Sequence, residues 1–273
     1  MSNQNWIDIK WFNYPDAPKA ILEIPITIDD IDEIQYLQLD TGCPNSLLFG
    51  YQLSNLFGGA FTEDKSSVKI KGKIGDQNLS DLSFKILKNV GKKRANSGQK
   101  KIGLLGTDFF VNKVLIIDFI EDKILISDSA EVLENLEYSF SFSDMSRNPA
   151  NVIVLEILIN DKKLPKILYD TGTSIYDFTL NDKSEWESLV GDVDKSKLDV
   201  STIANPSGVY KKYGYQIEGS LQVGDFKYLN PFLYYRDTDL WDESPLNGTL
   251  GNKPFFQSCV LIDFINFRFG VSY

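Results

Sequence analysis

The sequence predicts a mostly β protein made of two homologous lobes. Three observations carry that expectation. Hydrophobic residues form 42% and aromatic residues 13% of the 273 positions, a composition suited to pleated, half-buried surfaces. Apolar and polar residues alternate with a period of two through many short runs bounded by turn formers, the pattern of half-buried strands. One ordered set of features also occurs twice, and the chain has room for two units of roughly 130 residues each.

Residues 5–13 place Trp6, Ile7, Ile9, Trp11 and Phe12 in near-alternation, a first strand closed by Tyr14-Pro15-Asp16 and able to pair across the lobes. Residues 20–28 and 33–39 form a hairpin around the polar turn Asp29-Asp30-Ile31-Asp32, and its second arm runs into Asp40-Thr41-Gly42. The second copy has a strand at 152–159, a turn at 160–163 and a strand at 164–169 leading into Asp170-Thr171-Gly172-Thr173-Ser174. Each copy continues with a glycine-bearing strand and turn, at 70–76 and at 217–225, and then an apolar strand at 82–87 or 231–235.

Gly103-Leu104-Leu105-Gly106 followed by Phe109-Phe110 then matches Gly248-Thr249-Leu250-Gly251 followed by Phe255-Phe256. Both copies close with a hairpin, entered through Ile117-Asp118-Phe119 or Ile262-Asp263-Phe264. Five features in one order imply duplication. The expected organisation is an N-terminal lobe over 1–130 with the first Asp-Thr-Gly, a linker over 131–150, and a C-terminal lobe over 151–273 with the second. The linker region loses the strand pattern and suggests a short helix from Glu131 to Leu136. Outside the repeat, residues 88–101 read as a basic solvated loop and 182–197 as a polar surface helix.

The 38 acidic and 28 basic residues give a formal charge of −10, which argues against nucleic acid or an anionic membrane as partner. The sequence contains no histidine, which excludes Ser-His and Cys-His catalysis and every histidine metal site. The acidic turn Asp29, Asp30, Asp32, Glu33 lacks the glycine and spacing of a calcium loop, so neither a metal nor another cofactor is expected. Two distant cysteines, Cys43 and Cys259, make no disulfide framework and point to a reducing compartment. With no signal-peptide-like run at the start and no apolar stretch of membrane-spanning length, the expectation is a cytoplasmic protein.

A single Asp-Thr-Gly is ordinary turn chemistry, but the duplicated order of Asp-Thr-Gly, apolar-Gly, Phe-Phe and Ile-Asp-Phe resembles the pepsin-like and retropepsin-like aspartic peptidases. The resemblance implies a pepsin-like β-barrel fold with pseudo-two-fold symmetry and an interlobe sheet, in a monomer that cleaves a peptide or protein substrate. It implies Asp40 and Asp170 as the catalytic pair. Thr41 and Thr171 would exchange hydrogen bonds between lobes, Gly42 and Gly172 would bring amides up to the carboxylates, and Thr173 would donate to the outer oxygen of Asp170. Cys43 stands where that hydroxyl residue would be in the first copy, and Pro44 follows it.

Two carboxyls about 3 Å apart share a proton, since both cannot ionise together. One then serves as base to a water and the other as acid, without a covalent intermediate. Residues 61–80 contain no tyrosine of the kind that pepsin-like flaps carry, so the flap candidate is the tip at Leu56-Phe57-Gly58-Gly59-Ala60-Phe61, where Gly58 and Gly59 suit a mobile hairpin over a substrate, with a loop or helix end as the alternative. Tyr210, Tyr213 and Tyr215 read as packed strand residues, with cleft lining as the alternative. The competing functional reading is a catalytically weak protein of the same fold that binds peptides or partner proteins.

Overall fold

Each turn-bounded apolar run of the sequence becomes a strand in the computed structural model, which describes residues 5–58, 66–88, 90, 100–205, 208–238 and 244–272. The first half supplies β1 (Ile7–Asp8), β2 (Lys10–Tyr14), β3 (Ala17–Ile28), β4 (Ile31–Leu39), β5 (Leu47–Phe49), β6 (Ser67–Val68), β7 (Gly72–Ile74), β8 (Gln77–Asn78), β9 (Phe84–Leu87), β10 (Lys101–Leu105), β11 (Val114–Asp118) and β12 (Lys123–Ser127). The second half supplies β13 (Phe140–Asp144), β14 (Val154–Ile159), β15 (Lys162–Tyr169), β16 (Phe178–Leu180), β17 (Asp199–Asn205), β18 (Gly208–Gln216), β19 (Ser220–Val223), β20 (Phe226–Leu229), β21 (Phe232–Arg236), β22 (Gly248–Leu250), β23 (Cys259–Asp263) and β24 (Arg268–Ser272). Among the described residues two α-helices accompany them, α1 (Gly50–Phe57) and α2 (Lys183–Val190).

Each half folds mainly into its own nine-stranded sheet, and the two sheets share one plan. The first runs β6-β9-β5-β10-β4-β3-β7-β8, with β2 also paired to β3; the second runs β17-β18-β21-β16-β22-β15-β14-β19-β20. In both, the hairpin arm that ends at the acid lies parallel to the apolar-Gly strand, β4 beside β10 and β15 beside β22. Period-two patterning sets the faces: Leu22, Ile24, Ile26 and Ile28 of β3 are buried, as are Leu155, Ile157 and Ile159 of β14. Each such side chain contributes about 1.5–3 kcal/mol when removed from water. The β14–β15 hairpin turns on Asn160 and Asp161, both at positive φ (48° and 65°), where short polar side chains are tolerated.

A third, six-stranded sheet draws on both halves in the order β1-β12-β11-β23-β24-β13. At its centre β11 and β23 pair antiparallel, with Val114 opposite Asp263 and Asp118 opposite Cys259. The repeated Ile-Asp-Phe acquires a physical reason here. Asp118 Oδ1 accepts the amides of Ile120 and Glu121, Asp263 Oδ1 accepts those of Ile265 and Asn266, and each acid thereby closes its own hairpin. The phenylalanines cross between halves: Phe110 stacks on Phe264 at 6.0 Å, and Phe256 meets Phe119 at 5.9 Å.

Three expectations change. The start of the chain forms two strands rather than one, because β1 leaves for the six-stranded sheet while β2 stays on β3. The stretch expected to link the lobes is not merely a connector, since β13 lies within it and pairs along β24 from Phe140–Ser272 to Asp144–Arg268. Where a short helix was expected, residues Ala130–Asn135 form 3-10 turns. The polar helix is present as α2, capped by the Asp182 carboxylate accepting from the Ser184 amide. Most of the basic loop, residue 89 and residues 91–99, lies outside the described residues. Among the described residues no helix is long and apolar enough to cross a membrane.

Candidate active site

The apolar arms β4 and β15 end at Asp40 and Asp170, and neighbouring strands hold both ends alike. The Asp40 amide donates to Leu105 O at 3.0 Å and the Asp170 amide to Leu250 O at 2.9 Å. The glycines after those leucines are required by space. A Cβ on Gly106 would lie 2.6 Å from Cys43 O, and one on Gly251 would lie 2.2 Å from Tyr176 O. The apolar-Gly signature is thus the strip of backbone on which each acid-bearing turn rests.

Thr41 and Thr171 are both buried and fasten the turns to each other. The Thr41 amide donates to Thr171 Oγ1 and the Thr171 amide to Thr41 Oγ1, each at 3.0 Å. Each hydroxyl then donates across to the opposite strand, Thr41 Oγ1 to Tyr169 O at 3.0 Å and Thr171 Oγ1 to Leu39 O at 2.9 Å. A threonine hydroxyl both accepts and donates, so one residue type closes all four bonds.

Gly42 and Gly172 let the two carboxyls approach. The Gly172 amide donates to Asp170 Oδ1 at 2.7 Å and the Gly42 amide to the same oxygen at 3.2 Å. A Cβ on Gly42 would sit 2.5 Å from Asp170 Cγ, and one on Gly172 would sit 3.0 Å from Asp40 Cγ. Each glycine therefore lies under the acid of the other half. The two carboxyls thus face one another across the paired turns, each half-buried with part of its residue's surface still open.

This setting raises both acids. Burial pushes Asp40 up to about 8, with the charge of Asp170 and the hydrogen bond to it adding to the effect, while the amides of Cys43 and Gly42 pull the other way. Burial also raises Asp170, opposed by the Gly172 amide, the Lys212 charge, the Gly42 amide and the Arg236 charge. The pair can thus hold one shared proton far above the usual carboxylate range, and its titration belongs to both groups together.

Thr173 requires a correction: its hydroxyl donates to the backbone carbonyl of Asp170 at 3.0 Å, not to the carboxylate. The tightness of the turn directs it there. Cys43 points away as well, donating to Asn45 O at 3.0 Å, and burial pushes its thiol up to about 11. The flap tip is also revised. Leu56 and Phe57 close α1 instead of entering a hairpin, and Gly58 ends that helix at φ 85°. Gly59, Ala60 and Phe61 lie outside the described residues. Tyr210 is buried on β18, Tyr213 stacks on Tyr235 at 5.2 Å, and Tyr215 packs against the core, so the tyrosines serve as strand packing.

Several supporting residues escape a reading of the sequence. Asn252 is fully buried, accepts the Tyr169 hydroxyl at 2.8 Å and donates to Ser174 Oγ at 2.9 Å, bracing the second turn. In the first half Asp108 does comparable work by a different route, accepting the Ser46 amide at 2.9 Å and the Ser46 hydroxyl at 2.6 Å. Ser46 Oγ in turn accepts the Gly106 amide. The available signal was position, since Asp108 and Asn252 both closely follow the repeated apolar-Gly pair. Lys212 and Arg236, whose charges reach Asp170, gave no such signal.

Comparison with models of known protein families finds no match to this chain, and comparison with curated proteins finds none either.

Proposed function

We propose that the protein is an aspartic endopeptidase of pepsin-like, two-lobed architecture that hydrolyses peptide bonds between Asp40 and Asp170. The observation that carries this reading is the carboxyl pair itself. Two half-buried acids lie against each other's glycine and are held by a reciprocal threonine lock. A purely structural role gives no reason to bring two acids together away from water, where like charge is costly.

In the reading proposed, the ionised carboxyl accepts a proton from water as the oxygen attacks the peptide carbonyl. The protonated carboxyl donates its proton to the carbonyl oxygen, giving a neutral tetrahedral diol with the pair still singly charged. Collapse of the diol transfers a proton to the departing amine and breaks the C–N bond. The active form is the monoanion, so activity falls as pH drops through the pair's first ionisation and again as pH rises through its second. Because Asp40 is raised to about 8, the working range extends to neutral pH.

The test is digestion of a peptide library from acidic to neutral pH, with pepstatin and with Asp170→Asn as controls. Cleavage that survives Asp170→Asn rejects the mechanism. The second reading, a weakly catalytic peptide-binding protein of the same fold, is favoured by one observation: neither Cys43 nor Thr173 offers its side-chain hydrogen to a carboxyl of the pair. Tight peptide binding without cleavage at any pH in that range selects it.

A further inference from the structure

One row of side chains runs from Asp170 across the second nine-stranded sheet. Leu168 stands two residues before Asp170 on the same face and lies opposite Thr249. Thr249 lies opposite Thr179, Thr179 opposite Tyr234, and Tyr234 opposite Gly214. Two residues further along β21, and two back along β18, come Arg236 and Lys212, themselves a cross-strand pair.

The contacts follow that register. Lys212 Nζ donates to Thr179 Oγ1 at 3.2 Å and lies 3.7 Å from the centre of the Tyr176 ring, while Arg236 Nη2 donates to Thr249 Oγ1 at 3.0 Å. Lys212 is 1% exposed and Arg236 8%. Among the described residues Lys212 has no carboxylate in ion-pair contact. A buried ammonium with no acid against it is costly, so packing alone is a poor reason for its presence.

Among the described residues the first half is arranged differently. Its matching row is Gln38, Leu104, Leu47, the exposed Lys85 and Leu87, with leucines where the second half has Thr249 and Thr179. Its own buried lysine, Lys101, sits on β10 and donates to Gln38 Oε1 at 2.9 Å.

We propose that Lys212, seated on Thr179 and Tyr176 and backed by Arg236, is a positioning residue that keeps the pair's negative charge on Asp170 and its proton on Asp40. The proposal rests on the aspartic peptidase reading and assigns roles within it: Asp170 is the base that takes the proton of water, and Asp40 is the acid that protonates the carbonyl oxygen.

The titratable groups acting on Asp170 are Asp40 and Cys43 from the first half, Tyr169 beside it, and Lys212 and Arg236 from β18 and β21. Those beside Asp40 are Asp170 and Cys43, with Lys101 of β10 seated on Gln38 two residues before it. Cys43 and Tyr169 are held neutral by burial. The charges of Lys212 and Arg236 both hold Asp170 down against its burial. Burial and the charge of Arg236 draw Lys212 well below the usual lysine range, and the charge of Asp170 opposes them, so lysine and acid support one another's charged forms.

The experiment is a carbon-13 NMR titration of side-chain carboxyls in aspartate-labelled protein, with signals assigned through Asp40→Asn and Asp170→Asn. In the unaltered protein Asp170 ionises first as pH rises; if Asp40 ionises first, the proposal is overturned. In Lys212→Met the Asp170 titration moves up by about one pH unit or more, and the acidic limb of kcat/KM moves with it. A folded Lys212→Met protein with an unchanged Asp170 titration also overturns it. If that variant does not fold, the order of ionisation in the unaltered protein decides alone. The titration is readable whether or not the protein cleaves peptides, so a failed peptidase assay and a failed charge assignment remain separate results.

Discussion

Asp40 and Asp170 sit on turns built to one plan, in surroundings that differ. Both follow an apolar hairpin arm, hang from a leucine carbonyl, rest on a glycine backbone and are fastened by the same threonine exchange. Behind the turns the halves part. The second is braced by a buried asparagine and flanked by a threonine, lysine and arginine row; the first is braced by Asp108, has leucines in place of those threonines and seats its buried Lys101 on Gln38 instead. Symmetry thus governs the geometry of the carboxyls and asymmetry governs their charge. A site that needs one acid and one base requires both properties.

The comparison is most severely tested at the carboxyls. Asp170→Asn and Asp40→Asn each lower kcat/KM on the order of 10³- to 10⁴-fold if both acids are required. Measured loss in only one variant breaks the equivalence of the turns. Thr41→Val and Thr171→Val come next, since each removes a hydroxyl that accepts one buried bond and donates another. Each lowers stability by about 2–4 kcal/mol in denaturant titration, with similar values for the two and less than additive loss in the double variant.

The pH dependence of stability sharpens the contrast. A carboxyl raised on folding holds its proton more tightly in the native state, so stability is lost as pH climbs from the unfolded value through the native one. Asp40→Asn removes that loss, and thermal unfolding therefore shows the variant gaining on the parent protein between acid and neutral pH, by at least about 1 kcal/mol. The smallest effect belongs to Cys43. Its thiol points to Asn45 O, away from the pair, so Cys43→Ala changes stability by less than about 1.5 kcal/mol and shifts the pH profile of cleavage hardly at all. A large pH shift in that variant would show Cys43 to be a partner of Asp40.

Much of the first layer was legible in the sequence, because duplicated turns and period-two strands are local patterns. Asp40, Thr41, Gly42 and their second-half counterparts could be named from three-residue motifs, and the structure brings all six together. Lys212 and Arg236 could not, since their nearness to Asp170 depends on the register of several strands that are distant in sequence. Thr173 misled for the opposite reason. Its position in the motif was right, but a hydroxyl one step past the glycine finds a backbone carbonyl closer than a carboxylate. The glycine pair at 58 and 59 read as the tip of a hairpin over the substrate, whereas Gly58 ends a helix and Gly59 lies outside the described residues.

The sheet shared by the two halves has its own consequence. Val114 faces Asp263 and Asp118 faces Cys259, and because Val114 corresponds to Cys259 and Asp118 to Asp263 in the repeat, this is the self-complementary contact of a two-fold dimer. The amides of Phe119 and Phe264 obey the same rule, donating to Ser258 O and Lys113 O across the halves. In a dimer of identical subunits, any residue placed beside one acid must also be placed beside the other. Joining the copies in one chain removes that obligation, so Leu47 and Leu104 can stand where the second half has Thr179 and Thr249. Covalent continuity is what makes two unlike neighbourhoods available to a pair of like acids.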